Sequence, residues 1–255
     1  MKQACGRVYL IGAGPGAPDL LTLRAAETLR RADIVFHDAL VHPDTLRLAQ
    51  NAEIIAVGKR CGKQSTAQRF INKRLVDAAR KFNTVVRLKG GDPMLFGRAQ
   101  EEIAALRDAG IDYEVVPGVT AALAASSALG IALTQRGVSR NVTFLTARVG
   151  QGEGDHDWAA SAAAADTAVI YMGTGQAALI AGMLAARGVS PATPAVVVEN
   201  ASLPQERRFA LTLSELPRIA KVEIGGPAVI MLGEVFAPLL AVSAEPGALP
   251  ASRTA

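Results

Sequence analysis

Val8-Tyr9-Leu10-Ile11-Gly12-Ala13-Gly14-Pro15-Gly16-Ala17-Pro18-Asp19 is an apolar run that passes straight into glycines. Residues 8–11 predict a strand, and the glycines after it permit positive φ and close approach of the backbone to a ligand. Gly12, Gly14 and Ala17 fit the G-x-G-x-x-G/A spacing of a dinucleotide fingerprint. In that fingerprint a helix starts inside the loop and aims its free N–H groups at a pyrophosphate. Pro15 and Pro18 remove two such donors, and the helical pattern begins only at Thr22, the expected N-cap of a helix over 22–31. The ribose-binding carboxylate would fall to Asp38, in the uncharacteristic setting His37-Asp38-Ala39-Leu40-Val41. The loop by itself leaves three readings: a tight turn without ligand, a dinucleotide site, or a seat for a flat, uncharged or cationic ligand segment.

Outward from this loop, short β-branched runs alternate with Ala/Leu-rich helical patterns. Strands are expected at 34–36, 53–57, 84–88 and 113–116, and helices at 68–82 and 98–109, the latter closed by Gly110. This alternation predicts an α/β fold with a mainly parallel sheet. After Pro117-Gly118 the texture changes. A helix at 120–129, a strand at 142–146, a polar loop at 150–157, a strand at 168–172 and a helix at 176–187 precede strands at 195–199, 207–213 and 228–232. These later strands lie close together, which predicts a partly antiparallel sheet. The expected organisation is an N-terminal α/β domain over 1–117, a C-terminal α/β domain over 118–238 and a flexible tail over 239–255, the sequence turning to Ala, Pro, Ser and Gly after Phe236.

The 255-residue chain is 50% hydrophobic and 20% charged, which excludes disorder as its main state. Its net charge of +4 suits an anionic ligand but makes no dense basic stripe for nucleic acid, and 4% aromatics leave few rings for stacking on bases. Cys5 and Cys61 lie far apart and outside any CxxC spacing, so neither a disulfide framework nor a metal site is expected. The N-terminus lacks a signal-peptide core, and no apolar stretch reaches the length of a membrane span. A soluble, cytoplasmic protein is therefore expected.

A second glycine cluster, Arg87-Leu88-Lys89-Gly90-Gly91-Asp92-Pro93-Met94-Leu95-Phe96-Gly97-Arg98, and a third, Pro117-Gly118-Val119-Thr120, also follow expected strands. In open α/β sheets ligands bind outside the carboxyl ends of the strands. Three such loops in register point to one crevice, and are more specific together than any one alone.

These residues carry a family resemblance. The runs GAGPGAPDLLTLRAAETLRRADIVFHDALV (12–41), VGKR (57–60), RLKGGDPMLFGRAQEE (87–102), VPGVTAALAASSALGIALTQR (116–136) and VIYMG (169–173) resemble the tetrapyrrole (corrin and porphyrin) methyltransferases over residues 6–236. The RLKGGDP form, where sister corrin methylases are expected to carry a Thr-Gly-Asp-Pro loop, resembles the members that act on uroporphyrinogen III. The resemblance implies two α/β domains with a cofactor crevice between them and S-adenosyl-L-methionine as methyl donor. It also implies a homodimer and two methylations of uroporphyrinogen III that give precorrin-2 for cobalamin or sirohaem. Fused sirohaem synthases carry an added dehydrogenase–chelatase domain, and that activity is not expected from a chain opening on the methylase motif.

Position by position, the resemblance implies donor contacts at Pro15, Gly90, Gly91, Asp92, Leu95, Thr120, Ala121, Met172 and Ala201, and a proton acceptor and donor at Asp38 and Lys59. Six of these have a plainer alternative: Gly90 and Gly91 as turn formers, Met172 as core, Thr120 as an N-cap, Asp38 and Lys59 as an ion pair. Arg60, Lys89, Arg98, Arg136, Arg140 and Arg148 are the expected partners of the substrate's carboxylates, or else solvated surface charges. The chain departs from the family at Gln64–Asn72, which lacks the usual histidine and the Glu before Ile-Asn, and at Ala99-Gln100-Glu101, where Gly-Gly-Glu is usual. Both bear on substrate details. The competing functions are a later precorrin methyltransferase, an NAD-dependent oxidoreductase using the Gly12 loop, and a noncatalytic ligand-binding module.

Overall fold

The computed structural model describes residues 5–58, 64–148 and 157–243. The chain divides into two compact units, 1–120 and 121–255.

In the first unit β1 (Arg7–Gly12), β2 (Ile34–His37), β3 (Glu53–Ala56), β4 (Thr84–Lys89) and β5 (Tyr113–Val116) form one sheet in the order β3-β2-β4-β1-β5, every neighbouring pair parallel. Its helices are α1 (Leu23–Arg30), α2 (Pro43–Leu46), α3 (Gln64–Ala79) and α4 (Ala99–Asp108). The period-2 geometry of a strand divides the core between two faces. Val8 and Leu10 pack on one side with Leu75, Ala79, Ile103 and Leu106 of α3 and α4. Tyr9 and Ile11 pack on the other with Ala25 and Leu29 of α1. Each buried Val, Leu or Ile among them contributes about 1.5–3 kcal/mol of transfer free energy.

The expected strands appear with small shifts of boundary. Thr22 caps α1, its hydroxyl accepting from Ala25 N at 3.2 Å. The helix expected at 68–82 runs instead from Gln64 to Ala79, and α2 is an element the sequence pattern did not announce. Because β1 connects towards β2 while β4 connects towards β5, the chain leaves the carboxyl ends of two adjacent strands in opposite directions. That is the topological switch point at which open α/β sheets bind ligands.

In the second unit β6 (Val142–Thr146), β7 (Thr167–Tyr171), β8 (Pro194–Glu199), β9 (Arg207–Thr212) and β10 (Ala228–Gly233) form a sheet in the order β6-β7-β10-β8-β9. Only β6 and β7 are parallel neighbours, so the partly antiparallel expectation holds. The α-helices among the described residues are α5 (Ala121–Leu129), α6 (Trp158–Ala163), α7 (Ala177–Ala186) and α8 (Ala237–Ser243), and a 3-10 helix runs over Leu213–Lys221. Trp158, Ile180, Leu184, Leu213 and Leu216 bury one face of the sheet. The start of the tail expected over 239–255 is instead helical to Ser243, and Leu239 is buried. Pro238 does not prevent this, because the first turn of a helix needs no N–H from that position. Most of the polar loop expected at 150–157 lies outside the described residues.

Candidate active site

The parallel order of the first sheet brings Gly12, His37, Lys89 and Val116 to one edge, and with them the loops that follow. Those loops join backbone to backbone. Ala13 N donates to Lys89 O at 2.7 Å, Gly14 N to Gly91 O at 3.2 Å, and Gly91 N to Gly14 O at 2.7 Å. The third loop closes on the same point. A Cβ on Gly118 would lie 2.4 Å from Gly91 O and 2.8 Å from Gly12 Cα, and one on Gly12 would lie 2.6 Å from Gly118 Cα. No side chain fits at this junction, so Gly12 and Gly118 are required by close approach, and Gly91 by its φ of +67°. Asp92 fastens the junction: its Oδ2 accepts from Gly118 N at 2.9 Å and its Oδ1 from Met94 N at 2.8 Å. Leu95 and Pro15 are half-buried beside it, and Leu40 lies over Gly90, where a Cβ would meet Leu40 Cβ at 3.0 Å.

Asp38 stands at the end of β2. Its main chain is pinned, with Asp38 N donating to Leu88 O at 3.2 Å and Val41 N to Asp38 O at 3.3 Å. Its Oδ1 accepts from Arg87 Nη2. Arg87 is 3% exposed and also donates through Nε to Glu102 Oε1 at 2.9 Å and through Nη1 to Leu88 O at 3.1 Å. Glu102, fully buried, accepts as well from Lys89 Nζ at 3.1 and 3.0 Å and from Gln68 Nε2 at 3.2 Å. Two cations and two carboxylates are thus closed on one another beneath the edge. Asp38 is the member that reaches solvent, with 30% of its side chain exposed.

Burial works against the charge on Arg87, but Asp38 and Glu102 outweigh it and hold the guanidinium protonated. Burial, and then the like charge of Arg87, push the Lys89 ammonium below the ordinary lysine range. Lys89 was expected as a partner for substrate carboxylates. The structure corrects this: its ammonium is buried on Glu102, because alternation along β4 turns Val85, Arg87 and Lys89 to the face that α3 and α4 cover. Lys59, expected as proton donor, and Arg60 lie outside the described residues. Gly58, just before them, abuts the Asp38–Ala39 peptide, since a Cβ there would fall 2.3 Å from Ala39 N. Arg98 forms an ion pair with Glu101 at 2.6 Å, while Arg136, Arg140 and Arg148 are exposed.

In the second unit β6, β7 and β8 run the same way, so Tyr171 and Glu199 end on one edge on either side of β10. Met172 follows the first and Asn200-Ala201 the second, about two strand spacings (~10 Å) apart. Met172 is 50% exposed with a φ of +56°, so it is not a core methionine. Asn200 and Ser202, at +52° and +74°, are also left-handed, while Ala201 between them is buried. Left-handed backbone at residues other than glycine clusters at functional sites. Tyr171 Oη accepts from Ala122 N at 3.2 Å and fixes the first turn of α5, which begins at Ala121, directly after Thr120.

Arg87 and Glu102 are residues of this edge that the motif reading did not single out. A signal for Glu102 was present, since it falls on the buried stripe Ala99, Glu102, Ile103, Leu106 of α4, where an unpaired carboxylate is not tolerated. Among the described residues no cluster of His, Cys, Asp and Glu could hold a metal ion.

Residues 7–217 match the family of tetrapyrrole (corrin/porphyrin) methylases. The chain is 46% identical over 231 residues to a uroporphyrinogen-III C-methyltransferase of Pseudomonas aeruginosa, covering 90% of this chain and 94% of that one. It is 45% identical to a sirohaem synthase of Chromobacterium violaceum over 90% of its own length, but spans only 49% of that larger protein. A crystal structure of uroporphyrin-III C-methyltransferase from Thermus thermophilus complexed with S-adenosylhomocysteine has 43% identity and a TM-score of 0.79, over 91% of this chain and 100% of the other.

Proposed function

The chain belongs to the tetrapyrrole methylase family, and on that premise we propose that it is an S-adenosylmethionine-dependent C-methyltransferase that converts uroporphyrinogen III by two methylations to precorrin-2. The observation that carries this reading is the 46% identity along 94% of an enzyme of that activity. The product serves cobalamin or sirohaem synthesis. The chain works as a homodimer in the cytoplasm, a reading supported by the family likeness. Among the described residues no helix is long and apolar enough to cross a membrane.

The residues fit such a donor. When bound, S-adenosylmethionine supplies a methyl group on a sulfonium, which a carbon nucleophile takes in line. Pro15, Gly90, Gly91, Leu95, Thr120, Ala121, Met172 and Ala201 bring no positive charge to a cationic ligand, and Lys89, which precedes Gly90, is closed on Glu102. Asp92 ties Gly118 to the loop after β4 and so holds the glycine junction together at the sheet edge where the donor would bind. Holding the partners at near-attack distance supplies about 7–11 kcal/mol of the barrier. Asp38, held from behind by Arg87, accepts the proton that the pyrrole loses, a contribution of about 10²–10⁴-fold. Lys59 is the matching proton donor, and Arg136, Arg140 and Arg148 carry exposed positive charge for a polycarboxylate, while Arg98 is already paired with Glu101. A dinucleotide site is not supported, because α1 starts at Leu23, well beyond the glycines, and not inside the loop.

Turnover with uroporphyrinogen III and, in parallel, with a more highly methylated precorrin tests the reading. Methylation of the first substrate supports it. Methylation of the second alone shows a later corrin methylase. A thermal shift with NADH and none with S-adenosylhomocysteine shows a dinucleotide enzyme.

A further inference from the structure

Glu199 ends β8 with its side chain 2% exposed, and both of its oxygens are used. Oε1 accepts from Gly226 N at 2.7 Å, and Oε2 accepts from Arg207 Nε at 2.5 Å. Arg207 faces Glu199 directly across the β8–β9 ladder, and its Nη2 reaches on to Glu223 O at 2.5 Å. One carboxylate therefore binds the 223–227 loop to the strand end that leads into the turn at 200–202. The same loop holds the turn in two further ways. Asn200 N donates to Pro227 O at 2.8 Å, and the Asn200 amide fills the space beside Gly226, where a Cβ would fall 1.9 Å from Asn200 Oδ1. At the far end Glu206 Oε2 accepts from Ser202 N at 2.9 Å, and Glu206 is itself fixed by Arg208 Nε at 2.7 Å.

A buried ion pair adds little net stability compared with apolar residues of the same shape. What this one supplies is geometry. Asn200 and Ser202 stay left-handed, a state that residues with a Cβ keep only when their surroundings impose it. We propose that Glu199 is a positioning residue for donor binding: through Gly226 and Asn200 it sets the left-handed turn that presents Ala201 to the methyl donor. The proposal rests on the donor reading above. It assigns Glu199 no contact with substrate or donor and no part in proton transfer.

The test is S-adenosylhomocysteine affinity by calorimetry, with steady-state kinetics on uroporphyrinogen III, in wild type and in Glu199→Ala, Glu199→Gln and Gly226→Ala. Loss of hydrogen bonds to a buried charge predicts that folded Glu199→Ala binds about tenfold more weakly. Its donor KM rises in step while kcat changes far less. Glu199→Gln recovers most of the affinity, because an amide oxygen still accepts the Gly226 N–H. Gly226→Ala removes no charge, yet displaces Asn200 and weakens binding in the same way, which keeps the test open if Glu199→Ala fails to fold. A merely structural role would lower the Tm of the variants and leave the affinity of the folded molecules unchanged, and that result overturns the proposal. Wild-type protein that binds no S-adenosylhomocysteine overturns the donor reading itself, and this proposal with it.

Discussion

The Oδ1 of Asp38 is held by Nη2 of Arg87, a residue 49 positions later in the chain and almost wholly buried. Arg87 is in turn fixed by Glu102, so the orientation of the proposed proton acceptor is set from inside the first unit. Asp38→Asn should lower kcat by about 10²-fold or more while leaving S-adenosylhomocysteine affinity at the wild-type value. A wild-type rate in the folded variant would remove Asp38 from the mechanism.

Arg87→Met should be far more damaging to the fold. It leaves two carboxylates facing one cation, and breaking a buried pair by removing one partner costs about 3–5 kcal/mol. Denaturant unfolding reads this as a lower midpoint. A midpoint equal to that of wild type would mean that the network is not closed in solution as described.

Asp92 joins two loops through Met94 N and Gly118 N. Asp92→Ala loses both acceptors, each a charge-assisted bond, and should weaken S-adenosylhomocysteine binding by about tenfold or more, read by calorimetry. Gly118→Ala attacks the same junction sterically, with a methyl group 2.4 Å from Gly91 O. It should lower stability by about 1–3 kcal/mol and reduce affinity with it. Unchanged affinity in both variants would place the donor elsewhere.

Lys89 gives the fold a pH signature. Burial depresses its pKa in the folded protein, while in the unfolded chain it keeps its proton to about 10.4. Between those two values the unfolded state binds more protons, so unfolding free energy rises with pH, and the gain is lost as pH falls through the folded value. The stability of wild type minus that of Lys89→Met should therefore climb across the alkaline range. A flat difference would mean that Lys89 is not desolvated.

Much of this was legible in the sequence because it depends on local rules. Glycines after apolar runs marked the three loops, Thr22 marked a cap, and alternation marked a parallel sheet. What escaped depends on contacts across the fold. Arg87 and Lys89 look like exposed bases next to a glycine motif, and only the cover that α3 and α4 lay over one face of β4 makes them interior cations. Glu199 looks like the last residue of a strand, and its function becomes visible only when Gly226, 27 positions on, is seen to donate to it. The short α2 and α8, each with a proline in its first turn, lack the length at which helical periodicity is readable.

On the proposed function, the chain places two methyl groups on carbon atoms of uroporphyrinogen III. Incubation with that substrate and methyl-labelled S-adenosylmethionine, followed by mass spectrometry of the product, tests it directly. The expected product carries two labels and has the mass of precorrin-2. Unlabelled substrate recovered from folded, donor-binding protein would contradict it.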